Sequence, residues 1–372
     1  MNIYDYLVVG SGFYGVVMAE QIRKAGKSVL VLEKREHIGG NCYSYEHEGT
    51  DIPIHKYGTH VFRTSNRDIW QYINGFGTFN RYQHRVLTTY RNKVFSMPIN
   101  LGTINSFYGI NLKPFEVEEF MTGKRGNFPD PQNLEEKAIT LIGEDLYKAF
   151  FRGYTIKQWD RDPKELPADI INRLPVRKSY YDSYYDDIYQ GVPIEEYTNL
   201  FKSMLQGIPV EVNTDFLVDR EYWQRRSRKV IYTGPIDRYF EYAHGELGWR
   251  SVHFETELID VDDFQGTSVM NYADIDVPYT RIHEPKHLHP EKRFMSNSTV
   301  VIREYSASGH DEPFYPVNSL RDREIYQKYA EVAGKETKVV FGGRLAEYKY
   351  YAMHEVVEKA LKDVKELITG RP

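Results

Sequence analysis

The 372-residue chain contains one cysteine, Cys42. A disulfide within the chain needs two cysteines and a multi-cysteine metal centre needs more, so both are excluded, and no metal ligand set is read from the sequence. Long apolar runs are missing too: none approaches the ~20 residues that cross a bilayer. The N-terminus, MNIYDYLVVGSG, has no basic stretch, extended apolar core or small-residue cleavage site, so no secretory signal is read and the expected location is the cytoplasm. Positive charge is not in excess. The 48 Lys and Arg against 53 Asp and Glu give a net charge of -5, which excludes a broad nucleic-acid footprint. Internal repeats and low-complexity linkers are absent. The 41% hydrophobic and 27% charged residues exclude a disordered or collagen-like chain, and the length fits two or three domains at about 150 residues each. Tyrosine is plentiful, with 31 residues against 19 phenylalanines. Rings with polar tips suit surfaces that are part apolar and part wet, binding clefts among them.

The opening reads as strand, turn, helix, strand. Tyr4 to Val9 is a short apolar run and Gly10-Ser11-Gly12-Phe13-Tyr14-Gly15 is a glycine turn. Val16 to Lys24 is helical and stops near Gly26, and Val29 to Leu32 is a second apolar run ending at Glu33. Two buried strands joined by a helix predict a right-handed parallel βαβ unit. Residues from about 80 to 160 carry few strand signals. Within them Asn133 to Phe151 predicts a helix with Ile139, Ile142 and Leu146 on one face, so the stretch reads as a mostly helical insertion. From about 208 to 305, β-rich runs dominate: Val230 to Tyr232, Val252 to Phe254, Ser268 to Met270 and Thr299 to Ile302. They predict a sheet that is partly antiparallel. Strand and helix then return, with Val339 to Phe341, Gly342-Gly343, and a period near 3.6 through Val356, Val357, Ala360, Leu361 and Val364. A βαβ unit completed by a C-terminal strand–turn–helix is typical of a discontinuous nucleotide domain.

The glycine turn has a chemical reading. Gly10 permits the tight turn, Gly12 lets a pyrophosphate approach the backbone, and Gly15 lets helix and strand pack closely. The helix N-terminus then offers free N–H groups and a partial positive charge to the phosphates. Glu33 closes the next strand at about the 20-residue spacing of a ribose-binding acid. A glutamate there argues against a 2′-phosphate, and so against NADP. Between FAD and NAD, two cues favour FAD. Arg35-Glu36-His37-Ile38-Gly39-Gly40-Asn41 resembles the extended dinucleotide motif of FAD enzymes of the glutathione-reductase and amine-oxidase type, and Phe341-Gly342-Gly343-Arg344 follows a late strand. Read alone, Gly39-Gly40 is also a plain loop.

The blocks VGSGFYG, EKREHIGGN, HKYGTH, FFRGYTIKQW, ELPADIINRLPVR, YTGPIDRYF, PYTRI, EPFYPV and FGGRLAEYKYY occur in this order along essentially the whole chain. Together they resemble the UDP-galactopyranose mutase family of prokaryotic type. The resemblance implies an α/β fold: a discontinuous FAD-binding Rossmann-type domain with a helical-bundle insertion and an antiparallel-sheet domain. The corresponding bounds are 1–78, 190–240 and 315–372 for the FAD domain, 79–165 for the bundle, and 166–189 with 241–314 for the substrate sheet and its mobile loop. It further implies an isomerase that interconverts UDP-galactopyranose and UDP-galactofuranose without net oxidation, using reduced FAD. In the reaction so implied, the reduced flavin N5 would serve as nucleophile at the anomeric carbon and UDP as leaving group. Covalent catalysis of this kind leaves the protein to orient the reactants and hold charge. A homodimer is implied as well, and so is an external reductant, because the flavin has to be reduced and no second glycine motif marks a nicotinamide domain.

Residue by residue, the resemblance assigns Arg173 and Arg281 to the diphosphate, since a planar, permanently charged fork binds phosphate oxygens in pairs. Arg173 falls on the mobile loop, with Trp159 near it. Phe150, Phe151 and Tyr154 match positions that bracket the uridine, although two phenylalanines on a helix are also a core signature. Tyr184, Tyr315 and Tyr350 match tyrosines around the phosphates, Asn271 a uridine or ribose neighbour, and His84 a further substrate contact. His60 matches the histidine beside the flavin ring. Gly10, Gly12, Phe13, Gly15, Glu33, Lys34, Gly40, Asn41, Gly343, Arg344 and Met353 fall on the cofactor side, with Arg35 near the adenosine end.

Two positions depart from the family pattern. Arg63, in FRTSN, stands where histidine is common, and Ala352, in KYYAM, where aspartate is common. A smaller Ala352 opens volume and a longer Arg63 adds a donor that could reach an acetyl carbonyl, so UDP-N-acetylgalactosamine is a candidate second substrate. Neutral drift around a galactose site is the other reading. Two further functions share parts of the pattern: an FAD-dependent oxidoreductase of the amine-oxidase type, and a nucleotide-sugar binder without turnover.

Overall fold

Tyr4–Val9 (β1) and Val29–Leu32 (β2) lie side by side as parallel strands, Val8 opposite Val31, joined by the helix Phe13–Lys24 (α1). The computed structural model describes residues 3–173, 176–308 and 312–370. All four residues of β2 are buried, as expected of a parallel sheet covered on both faces. α1 begins at Phe13, three residues ahead of the predicted Val16, because the glycine turn feeds straight into it: the Val16 N–H already donates to the Gly12 carbonyl at 3.0 Å. It ends at Gly26, which takes the left-handed conformation (φ +75°) that a residue with a Cβ avoids.

Three distant segments complete this sheet. Ser227–Tyr232 pairs with β1, Val339–Phe341 pairs with Ser227–Tyr232, and Val210–Glu211 pairs with β2, all parallel. Val230 to Tyr232 therefore belongs to the nucleotide sheet rather than with the later antiparallel runs. The C-terminal helix Met353–Thr369 buries Val357, Ala360 and Val364 in the same core as Val16, Val17 and Met18 of α1.

A second sheet has seven strands, in the order 315–316, 249–259, 299–308, 281–283, 269–272, 86–90 and 93–97. Its pairs are antiparallel except Val269–Tyr272 with Val86–Tyr90, which run parallel. The hairpin Val86–Met97 corrects the reading of residues 80 to 160 as nearly strand-free. Its turn residues, Arg91 (φ +49°) and Asn92 (φ +60°), both take positive φ, the geometry of a type I′ hairpin, without the Asn-Gly pair that would have announced it.

The predicted helix from Asn133 to Phe151 is also broken. Asn133 Oδ1 caps the helix Leu134–Ile142 by accepting from the Glu136 N–H at 3.0 Å. Gly143 (φ +82°) then ends it, where a Cβ would lie 2.8 Å from the Lys124 carbonyl oxygen. The chain restarts as a short turn, widens into a π-helix over Tyr147–Arg152, and continues as the helix Gly153–Trp159. Ile142 and Leu146 are buried across the break, so the apolar face persists although the helix does not.

Candidate active site

The glycine turn and the two later glycine pairs converge at the start of α1. A Cβ on Gly15 would stand 2.0 Å from the Gly10 carbonyl oxygen, and one on Gly342 would stand 2.1 Å from the Tyr14 hydroxyl. The Gly39 N–H donates to the Ser11 carbonyl at 3.1 Å, so the second pair is tied to the first loop. At Gly12, by contrast, a Cβ would meet no protein atom within 4 Å. The turn is thus closed behind by glycine packing and open in front, the shape of a phosphate cradle. Glu33 is buried beside it. One carboxylate oxygen accepts from the Ser11 N–H (2.9 Å) and hydroxyl (2.6 Å), and the other from the Arg35 N–H (3.0 Å). A carboxylate has about four acceptor positions, so capacity remains for a ribose hydroxyl.

The other cofactor-side residues fall around this cradle. Asn41 Oδ1 accepts from Arg35 Nη1 at 3.0 Å, and the Arg35 guanidinium lies 4.5 Å from the centre of the Tyr57 ring. Lys34 is exposed at the end of β2. Gly343 follows the last parallel strand, and Arg344 Nη2 donates to the Tyr351 carbonyl at 2.6 Å. Phe13 is a packing residue in its side chain, with ring centres of Phe201 and Phe62 at 4.7 and 5.9 Å. Met353 contacts Cys42, sulfur to sulfur, at 3.6 Å. Burial pushes the Cys42 thiol up to about 12, so it is no nucleophile. His60 Nδ1–H donates to the Gly58 carbonyl at 2.7 Å, which leaves Nε2 with its lone pair. Burial lowers its pKa to about 4, with the Gly58 bond opposing and Arg344 assisting, so the ring is neutral at neutral pH.

The second sheet contributes charge. Asn271 and Arg281 are register partners on adjacent strands. Arg281 donates from Nη2 to the Tyr154 hydroxyl, and its Nε lies 3.4 Å from Glu304 Oε1. Glu304 is 3% exposed. It accepts from His283 Nε2 at 3.0 Å and the Thr280 hydroxyl at 3.2 Å, while His283 Nδ1 shares a 2.8 Å hydrogen bond with the Thr59 hydroxyl. Burial alone would raise the Glu304 pKa. Arg281 and the two hydrogen bonds outweigh it and hold the carboxyl at about 2. Arg281 is therefore a half-buried cation clamped to a buried anion. Asn271 Oδ1, on the neighbouring strand, is buried without a hydrogen-bond partner, which marks this spot as the place for a polar ligand.

Tyrosines surround it. Tyr315 and Tyr350 stack with ring centres 5.8 Å apart, and Arg344 lies 5.0 Å from the Tyr350 ring. Tyr184 stands edge-on to His84 at 5.5 Å, its N–H donating to the His84 carbonyl at 2.6 Å. Burial, with Arg281 and His283 assisting, pulls the His84 pKa to about 3. Arg63 forms an ion pair with Asp187 and lies over the Tyr185 ring at 4.2 Å.

Not every expected residue joins this cluster. Phe150 is 4% exposed and packs among Tyr90, Phe95 and Phe107, with ring centres at 6.0, 5.0 and 5.4 Å. As placed it is core of the helical insertion, not an open stacking face, and Phe151 is buried in the same cluster. Trp159 is half-buried at the end of its helix. The backbone of Arg173 ends a 3-10 helix, Ala168–Arg173, while its side chain lies outside the described residues. Glu304, His283, Asp187 and Tyr185 were not anticipated. Glu304 alone left a trace, as an acid that continues the alternation of the buried Val300 and Ile302 along its strand.

Residues 8–76 match a model for an NAD(P)-binding Rossmann-like domain, and residues 149–350, more than half of the chain, match the model for UDP-galactopyranose mutase. A probable UDP-galactopyranose mutase of Klebsiella pneumoniae is 40% identical over 376 residues, covering 100% of this chain and 96% of the relative. The chain belongs to the UDP-galactopyranose mutase family. Another relative, the dTDP-fucopyranose mutase of Escherichia coli, is 38% identical over 96% of each protein. The fold is shared with a crystal structure of reduced UDP-galactopyranose mutase, at a TM-score of 0.75 and 14% identity over 99% of this chain and 94% of that one. As a member of this family the chain is an isomerase of the mutase type, built on a dinucleotide-binding Rossmann domain. Among the described residues, no helix is long and apolar enough to cross a membrane.

Proposed function

We propose that this protein interconverts the pyranose and furanose forms of UDP-galactose with reduced FAD, and that it also accepts UDP-N-acetylgalactosamine. The observation that carries the reading is Arg281. It is a half-buried guanidinium fixed by Glu304 and Tyr154, ringed by tyrosines and flanked by the partnerless Asn271 Oδ1. A leaving diphosphate needs a fixed cation and neutral donors where its charge develops, and Arg281 with Tyr154, Tyr184, Tyr315 and Tyr350 supplies both. Arg173 is the second cation of this reading. The glycine cradle and Glu33 fit FAD, whose pyrophosphate and ribose need the open face at Gly12 and a free acceptor. Bound there in its reduced form, FAD would supply the nucleophile for the anomeric carbon. Neutral His60 offers an acceptor, Nε2, on the flavin side. An external reductant, a homodimeric assembly and a cytoplasmic location complete the proposal.

Arg63 supports the N-acetylated substrate. Its ion pair with Asp187 and its stacking on Tyr185 hold the guanidinium in one orientation. Arginine carries five N–H donors, so donors remain for an acetyl carbonyl, and Ala352 leaves room. A second reading, the same chemistry on dTDP-fucopyranose, is favoured by the relative at 38% identity. Turnover of the three sugar nucleotides by dithionite-reduced protein decides between them. Conversion of UDP-galactose without net oxidation is expected, and Arg63→His should shift the ratio of kcat/KM for the acetylated and plain sugars toward the plain one. An unchanged ratio removes Arg63 as the selector. Oxidised product in place of an isomer would return the chain to the amine-oxidase class.

A further inference from the structure

Lys157 is the least expected cation in the molecule. Its Nζ lies 2.7 Å from the Tyr272 carbonyl oxygen, 2.9 Å from Asp274, 3.0 Å from Val277 and 2.9 Å from Tyr279. An ammonium has three N–H donors, so its protons are shared among four oxygens of one loop. That loop joins the strands Val269–Tyr272 and Arg281–His283, which carry Asn271 and Arg281 as register partners. Burial pulls the Lys157 pKa down, and Asp274 opposes this. Asp274 is itself engaged, its carboxylate accepting from the Arg91 N–H at 3.1 Å.

The helix that carries Lys157 has little apolar means of docking. Of Gly153–Trp159, only Thr155 is fully buried. Trp159 at its end packs against the apolar core of the insertion, and polar contacts hold the rest. A Cβ on Gly153 would lie 2.4 Å from the Ala273 carbonyl oxygen, so the helix start is pressed on the loop. Tyr154, one turn before Lys157 on the same face, accepts from Arg281. At the far end the Gln158 carbonyl accepts from the Ser306 hydroxyl at 2.5 Å and Arg250 Nε at 3.1 Å. Lys157 ties the helix bearing Tyr154 to the loop that leads into Arg281, and it gathers that loop around one charge.

We infer that Lys157 is a positioning residue for diphosphate binding: its ammonium holds the 272–280 loop so that Arg281 and Tyr154 face the ligand together. The inference rests on the assignment of Arg281 to the diphosphate, and the test separates the two. UDP is titrated into the FAD-loaded oxidised protein, for wild type, Lys157→Met, Arg281→Ala and the double variant. Flavin absorbance and circular dichroism report the fold. Lys157→Met is expected to weaken UDP binding by at least about tenfold, the scale of a small misplacement in a fixed site, and to raise KM for the UDP-sugar while kcat changes less than about twofold. The double variant should bind no more weakly than Arg281→Ala alone, because Lys157 acts through Arg281. Unchanged UDP affinity in Arg281→Ala would overturn the assignment of Arg281. A weakened Arg281→Ala beside an unaffected Lys157→Met would overturn the role of Lys157, as would additive losses in the double variant. Should Lys157→Met fail to fold, Lys157→Gln, which keeps two donors without the charge, is measured against the same outcomes.

Discussion

Replacing Glu304 by glutamine tests the electrostatic frame of the site. The side chain keeps its size and an acceptor for His283 but loses the charge that faces Arg281. The gap between its pKa of about 2 and the ordinary 4.5 corresponds to about 3 kcal/mol of preference for the ionised form in the folded protein. Glu304 is 3% exposed, so solvent screening takes little from that figure. The sign follows from linkage. A carboxyl with a depressed pKa stabilises the fold fully above its unfolded value of about 4.5, and this contribution falls to roughly half near pH 3 and vanishes below about 2. Glu304→Gln should therefore lose about 3 kcal/mol at pH 7, within the range for breaking a buried pair. The deficit should shrink as wild type takes up its proton. Urea-unfolding midpoints for both proteins from pH 8 to pH 3 measure this. A neutral-pH loss under about 1 kcal/mol, or one equally large at pH 3, would show that Glu304 acts by packing and not by charge.

Gly15→Ala should strip the flavin. A Cβ 2.0 Å from the Gly10 carbonyl oxygen meets backbone that cannot rotate away, so the cradle must open, and the purified variant should lack flavin absorbance; full loading would refute the cradle. Phe150→Ala should destabilise the protein by about 3–5 kcal/mol, as other buried phenylalanines do, with UDP affinity unchanged. A variant of wild-type thermal stability that has lost UDP binding would return Phe150 to the substrate.

Much of the scaffold was readable from local pattern. Tyr4–Val9, Val29–Leu32 and Val339–Phe341 have the predicted bounds, because a short run rich in β-branched, leucine and aromatic residues that stops at a glycine or a charge reads as a strand from local pattern alone. The glycine spacing and Glu33 were readable for a similar reason: phosphate approach and helix packing exclude side chains at set positions along one stretch of chain. The hairpin Val86–Met97 was not, since its turn uses Arg91-Asn92, and the break at Gly143 depends on Lys124, a neighbour from another segment.

By itself the sequence determined the parallel nucleotide unit, its phosphate turn and its acidic partner, and its motif order pointed to the family. Those features are written in periodicity and in residues close together along the chain. The tertiary structure alone decided how the site is charged and held. Arg281 meets Tyr154 across 127 positions and Arg63 meets Asp187 across 124, while Lys157 gathers a loop more than a hundred positions away. A single arginine, glutamate or lysine carries no local mark of its partner. Only the folded chain brings opposite charges, or an ammonium and four carbonyls, out of water together, and burial is what makes those contacts strong enough to place a ligand.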